Sequence, residues 1–139
     1  MHRKDFISTV SVSVAAVCAG CLAACTKSNS VTAAPPPTGV NFNIDLASEL
    51  LNVGDSKQMS AVLVVRLATG NAVASFTAVQ VACTHEGTSI NYVAAQNQFV
   101  CPLHGSTFST SGTVVQGPAA TALKKYTIVI TNTTLNVTG

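Results

Sequence analysis

Two short segments, each with one cysteine and one histidine, constrain this chain more than any other feature. They are C-T-H at residues 83–85 and C-P-L-H-G-S at residues 101–106, and fifteen residues (86–100) separate them. The chain has three histidines and five cysteines, and those outside these segments lie within the first 25 residues. A Cys/His metal site in the folded domain would therefore draw on four side chains: Cys83, His85, Cys101 and His104.

Two thiolates and two imidazoles suit more than one metal centre. They can close a tetrahedral zinc site, or hold a [2Fe–2S] cluster with two thiolates on one iron and two imidazoles on the other. Zinc fingers usually pair cysteine with cysteine and histidine with histidine, whereas each segment here carries one of each. A third alternative is a Cys83–Cys101 disulfide in an oxidising compartment, which leaves both histidines unexplained.

The pattern C-T-H-x-G, a gap, then C-P-x-H-G-S resembles the motifs of the Rieske iron–sulfur proteins. The resemblance extends from near Val40 to the C-terminus, roughly 100 residues. It implies an all-β fold, an antiparallel β-sandwich or barrel with a small cluster-binding subdomain. It also implies one [2Fe–2S] cluster, with Cys83 and Cys101 on one iron and His85 and His104 on the other.

Three further residues match cofactor-binding positions of that family. Gly105 belongs to the second motif, and Ser106 matches the serine whose hydroxyl donates a hydrogen bond to a cluster sulfide. The pair Gly117-Pro118 matches the glycine-proline of a loop that covers the cluster. The resemblance therefore implies cofactor contacts at Gly105, Ser106 and Pro118.

Four positions depart from the quinol-oxidising members of the family. Thr88 and Leu103 occupy the places of two cysteines that form a disulfide in those proteins. Phe108 replaces a tyrosine that donates a hydrogen bond to a ligand sulfur, and Glu86 replaces a leucine. Losing a donor to sulfur and adding a carboxylate both disfavour the extra electron. We therefore predict a reduction potential below that of the quinol-oxidising class, within the roughly −150 to +300 mV of Rieske centres.

Hydrophobic patterns independently predict an all-β domain over residues 40–139. Apolar and polar residues alternate through Val40–Leu46, as in a half-buried strand, and other apolar runs are separated by turn residues. No convincing helical pattern is present. The predicted strand pairs are Ala61–Leu67 with Ala72–Ala78, Ile90–Ala94 with Gln98–Cys101, and Tyr126–Ile130 with Leu135–Val137.

The N-terminal residues are predicted to export and anchor the domain. Residues 1–24 have a basic start and a largely apolar stretch without charge, as in a signal peptide. Leu22-Ala23-Ala24-Cys25 resembles a lipobox, which predicts lipidation of Cys25, and Arg3-Lys4 resembles a variant twin-arginine signal. The alternative is an uncleaved membrane anchor. Residues 25–39, which include three consecutive prolines, are predicted to be a linker.

These features predict an electron-transfer protein tethered to the periplasmic side of a bacterial membrane. Its partner would be a redox protein or a membrane oxidoreductase, with quinol as a candidate. The alternatives are the Rieske subunit of a larger oxidoreductase, such as a quinol–cytochrome c reductase, and a zinc-stabilised binding module. A stand-alone enzyme is the less favoured prediction. A net charge of +2 without a basic patch argues against nucleic-acid binding.

Overall fold

The computed structural model describes residues 33–139. The predicted signal peptide, the lipidated Cys25 and the first half of the predicted linker lie outside the described residues. Over the part that is described, the secondary structure consists of ten strands and one short 3₁₀ turn. None of it forms a helix of the length and apolarity needed to cross a membrane. The prediction of an all-β fold is confirmed.

The ten strands form three antiparallel sheets. One sheet has the order β1-β10-β9, the second β2-β3-β4 and the third β5-β6-β7-β8. In chain order the strands are β1 Asn41–Asp45, β2 Ser56–Met59, β3 Val62–Arg66, β4 Phe76–Gln80, β5 Asn91–Val93, β6 Gln98–Val100, β7 Thr107–Ser109, β8 Val114–Gln116, β9 Thr127–Thr131 and β10 Thr134–Thr138.

Strands β3 and β4 of the second sheet are buried on both faces. Along β3, Val62 and Val64 pack into one hydrophobic core, while Leu63 and Val65 pack into another. Successive side chains of a strand point to opposite faces, so the run V-L-V-V supplies apolar groups to both cores. This explains why the sequence of β3 is continuously apolar rather than alternating.

We call the two cores the base core and the site core. The base core lies between the first and second sheets, and the site core lies between the second and third. The main buried members of the base core are Val40, Ile44, Leu46, Leu50, Val62, Val64, Phe76, Ala78, Tyr126, Leu135 and Val137. Those of the site core are Leu63, Val65, Val79, Val81, Cys83, Ile90, Phe99, Cys101, Phe108, Ala119 and Leu123.

Most predicted strands are confirmed, with two errors in the second sheet. The predicted strand Ala72–Ala78 is displaced, because a 3₁₀ turn occupies Val73–Ser75 and β4 begins only at Phe76. Strand β2 was not predicted, since its sequence S-K-Q-M has little apolar character. It pairs with β3 at the edge of the sheet, and its side chains are exposed or half-buried, so the strand needs little apolar character.

The end of the predicted linker lies against the domain. The carbonyl oxygen of Pro37 accepts hydrogen bonds from Lys124 Nζ and from the Tyr126 hydroxyl, both at 3.0 Å. The ammonium of Lys124 also lies 4.7 Å from the centre of the Tyr126 ring. Residues 33–36 line an open groove of about 370 Å³ together with Thr84 of the first cysteine–histidine segment.

Candidate metal centre

The two cysteine–histidine segments form loops with the same backbone hydrogen bonds. In the first ligand loop, residues 83–88, the amide of Cys83 donates to Thr88 and the carbonyl of Cys83 accepts from Gly87, both at 2.8 Å. In the second ligand loop, residues 101–106, Cys101 bonds to Ser106 and Gly105 in the same way, at 2.8 and 3.0 Å. Each cysteine therefore begins a closed five-residue turn.

The glycine four residues after each cysteine is required by the backbone of these turns. Gly87 has φ of 78° and Gly105 has φ of 75°, the left-handed region that side chains with a Cβ disfavour. A Cβ added at either position would meet no atom within 4 Å. The constraint is therefore conformational rather than steric, and it accounts for the glycine in both motifs.

The surrounding strands bring the two loops together. The first loop follows β4, and a bridge between Ala82 and Ser89 closes its base. The hairpin β5–β6 then carries the chain to the second loop, after which β7 pairs with β6. Because β6 and β7 are hydrogen-bonded neighbours, the second loop is itself a tight connection between paired strands.

The sulfur and nitrogen ligand candidates occupy different depths. Cys83 is fully buried and Cys101 is 2% exposed, and both are free thiols. The His85 ring is partly exposed and that of His104 is exposed. The two ring centres lie 4.9 Å apart at an interplanar angle of 80°. The arrangement places thiols inside and imidazoles at the surface, and it differs from the disulfide alternative.

Burial has a consequence for the thiols of this arrangement. Desolvation raises the pKa of the Cys83 thiol, and the neighbouring Cys101 raises it further, while the backbone amide groups near His85 and Glu86 oppose this. A buried pair of thiols therefore resists carrying two negative charges without a nearby cation. Metal ions supply that positive charge and deprotonate a coordinating thiol.

A third loop, residues 117–122, holds the two ligand loops in place. It begins with the cis peptide Gly117-Pro118, and Pro118 itself is exposed. The buried Ala119 donates its amide hydrogen to Ser106 Oγ at 2.9 Å, and the Thr84 hydroxyl donates to the Thr121 carbonyl at 2.6 Å. Each ligand loop is thus bonded to the third loop by one side chain.

The donor atoms are not arranged around a single metal position. Among the described residues, the ligand atoms of His85, Glu86 and His104 all lie within 4.8 Å of one another, but neither sulfur joins such a group. Donors of one tetrahedral zinc ion, at 2.0–2.3 Å from the metal, would lie closer together. The separation of sulfurs from nitrogens suits a centre larger than one ion.

The positions that depart from the quinol-oxidising pattern also have defined places. Phe108 is fully buried in the site core and pairs across the sheet with Phe99. Leu103 is 53% exposed beside His104. Sequence reasoning did not identify Thr84 or Ala119, although the hydroxyl between Cys83 and His85 was visible. Ala119 acts through its backbone, which leaves no signal in its side chain.

A sequence model of the Rieske [2Fe-2S] domain matches residues 44–127 of this chain. The iron–sulfur subunit of the cytochrome b6-f complex from Chlorobaculum thiosulfatiphilum is 42% identical over 52 residues, which are 37% of this chain and 29% of that protein. The chloroplastic subunit from Chlamydomonas reinhardtii is 51% identical over 41 residues, 30% of this chain and 20% of its own length. The matched segments thus span less than a third of these relatives.

Solved structures show the same fold. The plasma membrane Rieske protein PetC3 from Synechocystis PCC 6803 matches with a TM-score of 0.59 and 31% identity, over 70% of this chain and 99% of that one. A chain of a hyperthermophilic respiratory Complex III matches with a TM-score of 0.54 and 21% identity, over 67% of this chain and 71% of its own. The latter likeness concerns the fold alone.

Proposed function

The chain belongs to the Rieske [2Fe-2S] domain family, whose cofactor is a [2Fe–2S] cluster, and from this premise we propose that it is a one-electron carrier. The observation that supports this proposal is the depth of the four donors: the thiols of Cys83 and Cys101 are buried, whereas the imidazole of His85 is partly exposed and that of His104 is exposed. A buried redox centre with one exposed edge can exchange an electron with a partner that touches that edge.

The residues present fit the cluster. Cys83 and Cys101 would hold one iron, and His85 and His104 the other. The donor set is the mixed thiolate and imidazole set of Rieske centres, and the sulfurs stand apart from the nitrogens as two metal ions require. Both cysteines are free thiols. No disulfide between Cys83 and Cys101 would therefore have to be reduced before the cluster binds.

When bound, the cluster supplies a site that gains or loses one electron at the histidine-held iron. The chain provides the environment. The site core, with Phe99 and Phe108 fully buried, keeps water from the sulfurs. Ser106 accepts a hydrogen bond from Ala119, which leaves its own hydroxyl hydrogen available to a cluster sulfide. The third loop, in which Pro118 is exposed, would cover the cluster on the side of Ser106.

We also propose that a lipid anchor holds the domain at the membrane. Residues 1–24 would be removed as a lipoprotein signal, and residues 25–39 would link a lipid on Cys25 to the domain at residues 40–139. A lipid anchor with a proline-rich spacer keeps a carrier near a membrane. The relatives that support this are subunits of cytochrome b6-f complexes and a plasma membrane Rieske protein. The periplasmic side is part of the same proposal.

A second candidate function is that of a subunit in a larger oxidoreductase. The curated relatives are iron–sulfur subunits of cytochrome b6-f complexes, which favours a membrane oxidoreductase as the partner. This chain differs from typical quinol-oxidising subunits at three positions of the ligand loops. Thr88 and Leu103 replace the two cysteines of the disulfide, and Glu86 adds a carboxylate. Quinol therefore remains a candidate electron donor rather than the leading one.

Electron paramagnetic resonance of the purified, dithionite-reduced protein tests the main proposal. We expect two irons and two sulfides per chain and the spectrum of a reduced [2Fe–2S] centre with nitrogen ligands. His85→Ala should abolish that spectrum and the visible absorption. Protein that binds one zinc and no iron after anaerobic expression would contradict the proposal and favour the zinc-stabilised module.

Purification from native membranes separates the two candidate functions. A subunit should co-purify with partner proteins in a fixed ratio, and the complex should bind quinol. A carrier should separate from them and exchange electrons with a soluble redox protein. Failure of the isolated protein to react with any redox protein, while a complex oxidises quinol, would favour the subunit.

A further inference from the structure

One charged side chain lies within a long neutral part of the chain, and it is beside the imidazoles. From residue 67 to residue 123, between Arg66 and Lys124, Glu86 is the only aspartate, glutamate, lysine or arginine. Its Oε2 atom lies 3.6 Å from His104 Nδ1, and its side chain is 34% exposed. Glu86 is therefore the charged side chain that the structure places directly beside an imidazole of the two ligand loops.

Glu86 has no lysine or arginine partner among the described residues. Its distance to His104 exceeds that of a hydrogen bond. Three of the four described lysine and arginine side chains have other partners. Lys57 pairs with Glu49, Arg66 is buried against backbone carbonyls, and Lys124 bonds to the linker. Glu86 is thus free to pair with a group from another molecule.

Two apolar side chains are exposed next to His104, the imidazole nearest to Glu86. Leu103 is 53% exposed and Pro102 is also exposed, both immediately before His104 in the second ligand loop. We call the exposed surface of His85, Glu86, Pro102, Leu103 and His104 the imidazole tip. An apolar surface with one carboxylate complements a partner with an apolar contact and basic groups around it.

We propose that the imidazole tip docks a redox protein whose own redox centre is surrounded by lysine or arginine side chains. The proposal rests on the proposed electron-transfer function. A cluster with two thiolates and two neutral imidazoles is neutral when oxidised and carries one negative charge when reduced. Next to Glu86, the reduced form attracts a basic partner more strongly than the oxidised form, which favours docking before transfer and release after it.

One exposed charge has a modest and measurable effect. Pairs of exposed charges change an equilibrium by roughly two- to five-fold, and the effect declines as salt is added. Rim charges act mainly on the rate of association. We therefore expect Glu86→Gln to slow electron transfer to a basic partner by about two- to five-fold at low ionic strength.

Stopped-flow kinetics with two probes of opposite charge tests this expectation. The basic probe is a lysine-rich cytochrome c and the acidic probe is a blue-copper protein with an acidic surface. Glu86→Gln should slow the reaction of the first and speed that of the second, and both differences should vanish at high salt. A change in driving force would act on both probes in the same direction. Glu49→Gln removes the same charge from a side chain of similar exposure, 35%, that lies outside the imidazole tip. This matched control should change neither rate.

A second readout does not depend on electron transfer. A carbodiimide that joins carboxylates to amines should cross-link the peptide containing Glu86 to a lysine of the cytochrome c, and Glu86→Gln should lose this product. Unchanged rates with both probes, or cross-links confined to other carboxylates, would overturn the docking proposal. The electron-transfer function would then still stand, because it is judged separately by the resonance spectrum and by the wild-type reaction.

Discussion

The base core and the site core share one sheet, but they are closed by different means. The base core is covered by β1, β10 and β9, each five residues long and paired in continuous register. The site core is covered by strands of three residues, β5 to β8, and by the three loops. Apolar burial and a regular ladder suffice for the first core, whereas the second depends on loops.

The composition of the two cores shows the same contrast. The base core consists of aliphatic and aromatic side chains, whereas the site core includes the thiols of Cys83 and Cys101. Burial raises the pKa of Cys83, and a coordinating metal deprotonates a thiol. If Cys83 and Cys101 hold the cluster as proposed, the site core gains its metal–sulfur bonds only when the cluster binds. We therefore expect the base core and the site core to respond differently to loss of the cofactor.

The largest expected effect is the response to cluster removal. Anaerobic chelation should lower the amide protection of residues 83–88, 101–106 and 117–122, because the cluster would add its bonds to the few hydrogen bonds that join these loops. Strands β9 and β10 should keep theirs. Hydrogen–deuterium exchange followed by mass spectrometry measures both. Protein reconstituted with iron and sulfide serves as the control, and a uniform loss of protection across all three sheets would show that the halves are not separable.

The reverse perturbation should not be confined to one half. Leu135 is fully buried in the base core and pairs with Ile44 and Ile130. Leu135→Ala should lower the free energy of unfolding by about 2–5 kcal/mol, with the visible absorption lost in the same urea transition, because the second sheet belongs to both cores. Val129→Ala, at a position 51% exposed on β9, should change stability by less than about 0.5 kcal/mol. Bleaching well before the base strands unfold would contradict this coupling.

The contrast between the halves also explains what the sequence could predict. Alternation in β1 and the apolar run of β3 reveal the base core directly, because regular strands impose their period on side chains. The two motifs reveal the ligand candidates through their chemistry. Strand β2 escaped prediction because an edge strand can be polar. The hydrogen bonds of the third loop were not predicted. One of them is donated by the backbone amide of Ala119, and most residue types have such an amide.

A tie between loops should matter more for the cofactor than for the fold. Thr84→Val removes the hydroxyl that bonds the first ligand loop to the Thr121 carbonyl, and should lower stability by about 0.5–1.5 kcal/mol while speeding cluster loss. Thr77→Val removes a comparable bond, from β4 to the Thr110 carbonyl at 2.8 Å. That control should cost similar stability without faster bleaching. The decay of visible absorption under chelator measures the rate of cluster loss in both variants. Equal rates would count against a positioning role for Thr84.

The potential of the centre should respond to one buried ring. Phe108→Tyr places a hydroxyl where the quinol-oxidising members have one, and a donor to a ligand sulfur stabilises the reduced cluster. A hydrogen bond of about 1 kcal/mol corresponds to a rise on the order of 40 mV for one electron. Protein-film voltammetry measures it, and Phe76→Tyr in the base core is the control. A potential of the wild type near the top of the Rieske range would contradict the prediction that its lower donor count lowers it.

The smallest expected effect concerns Tyr126 of the base core and the linker that it contacts. Tyr126→Phe removes the hydroxyl bonded to the Pro37 carbonyl and should lower stability by about 0.5–1.5 kcal/mol at neutral pH. Burial raises the pKa of Tyr126 above its usual value near 10, so the folded state keeps the phenol proton more firmly than the unfolded chain does. The stability gained in this way is complete below pH 10 and is lost as the pH rises through the folded-state pKa. Urea unfolding from pH 8 upward should therefore show a steeper alkaline decline for the wild type than for Tyr126→Phe. Parallel declines would mean that Tyr126 does not govern alkaline stability. Within each protein, the site core should unfold along the same pH curve as the base core, because the second sheet belongs to both.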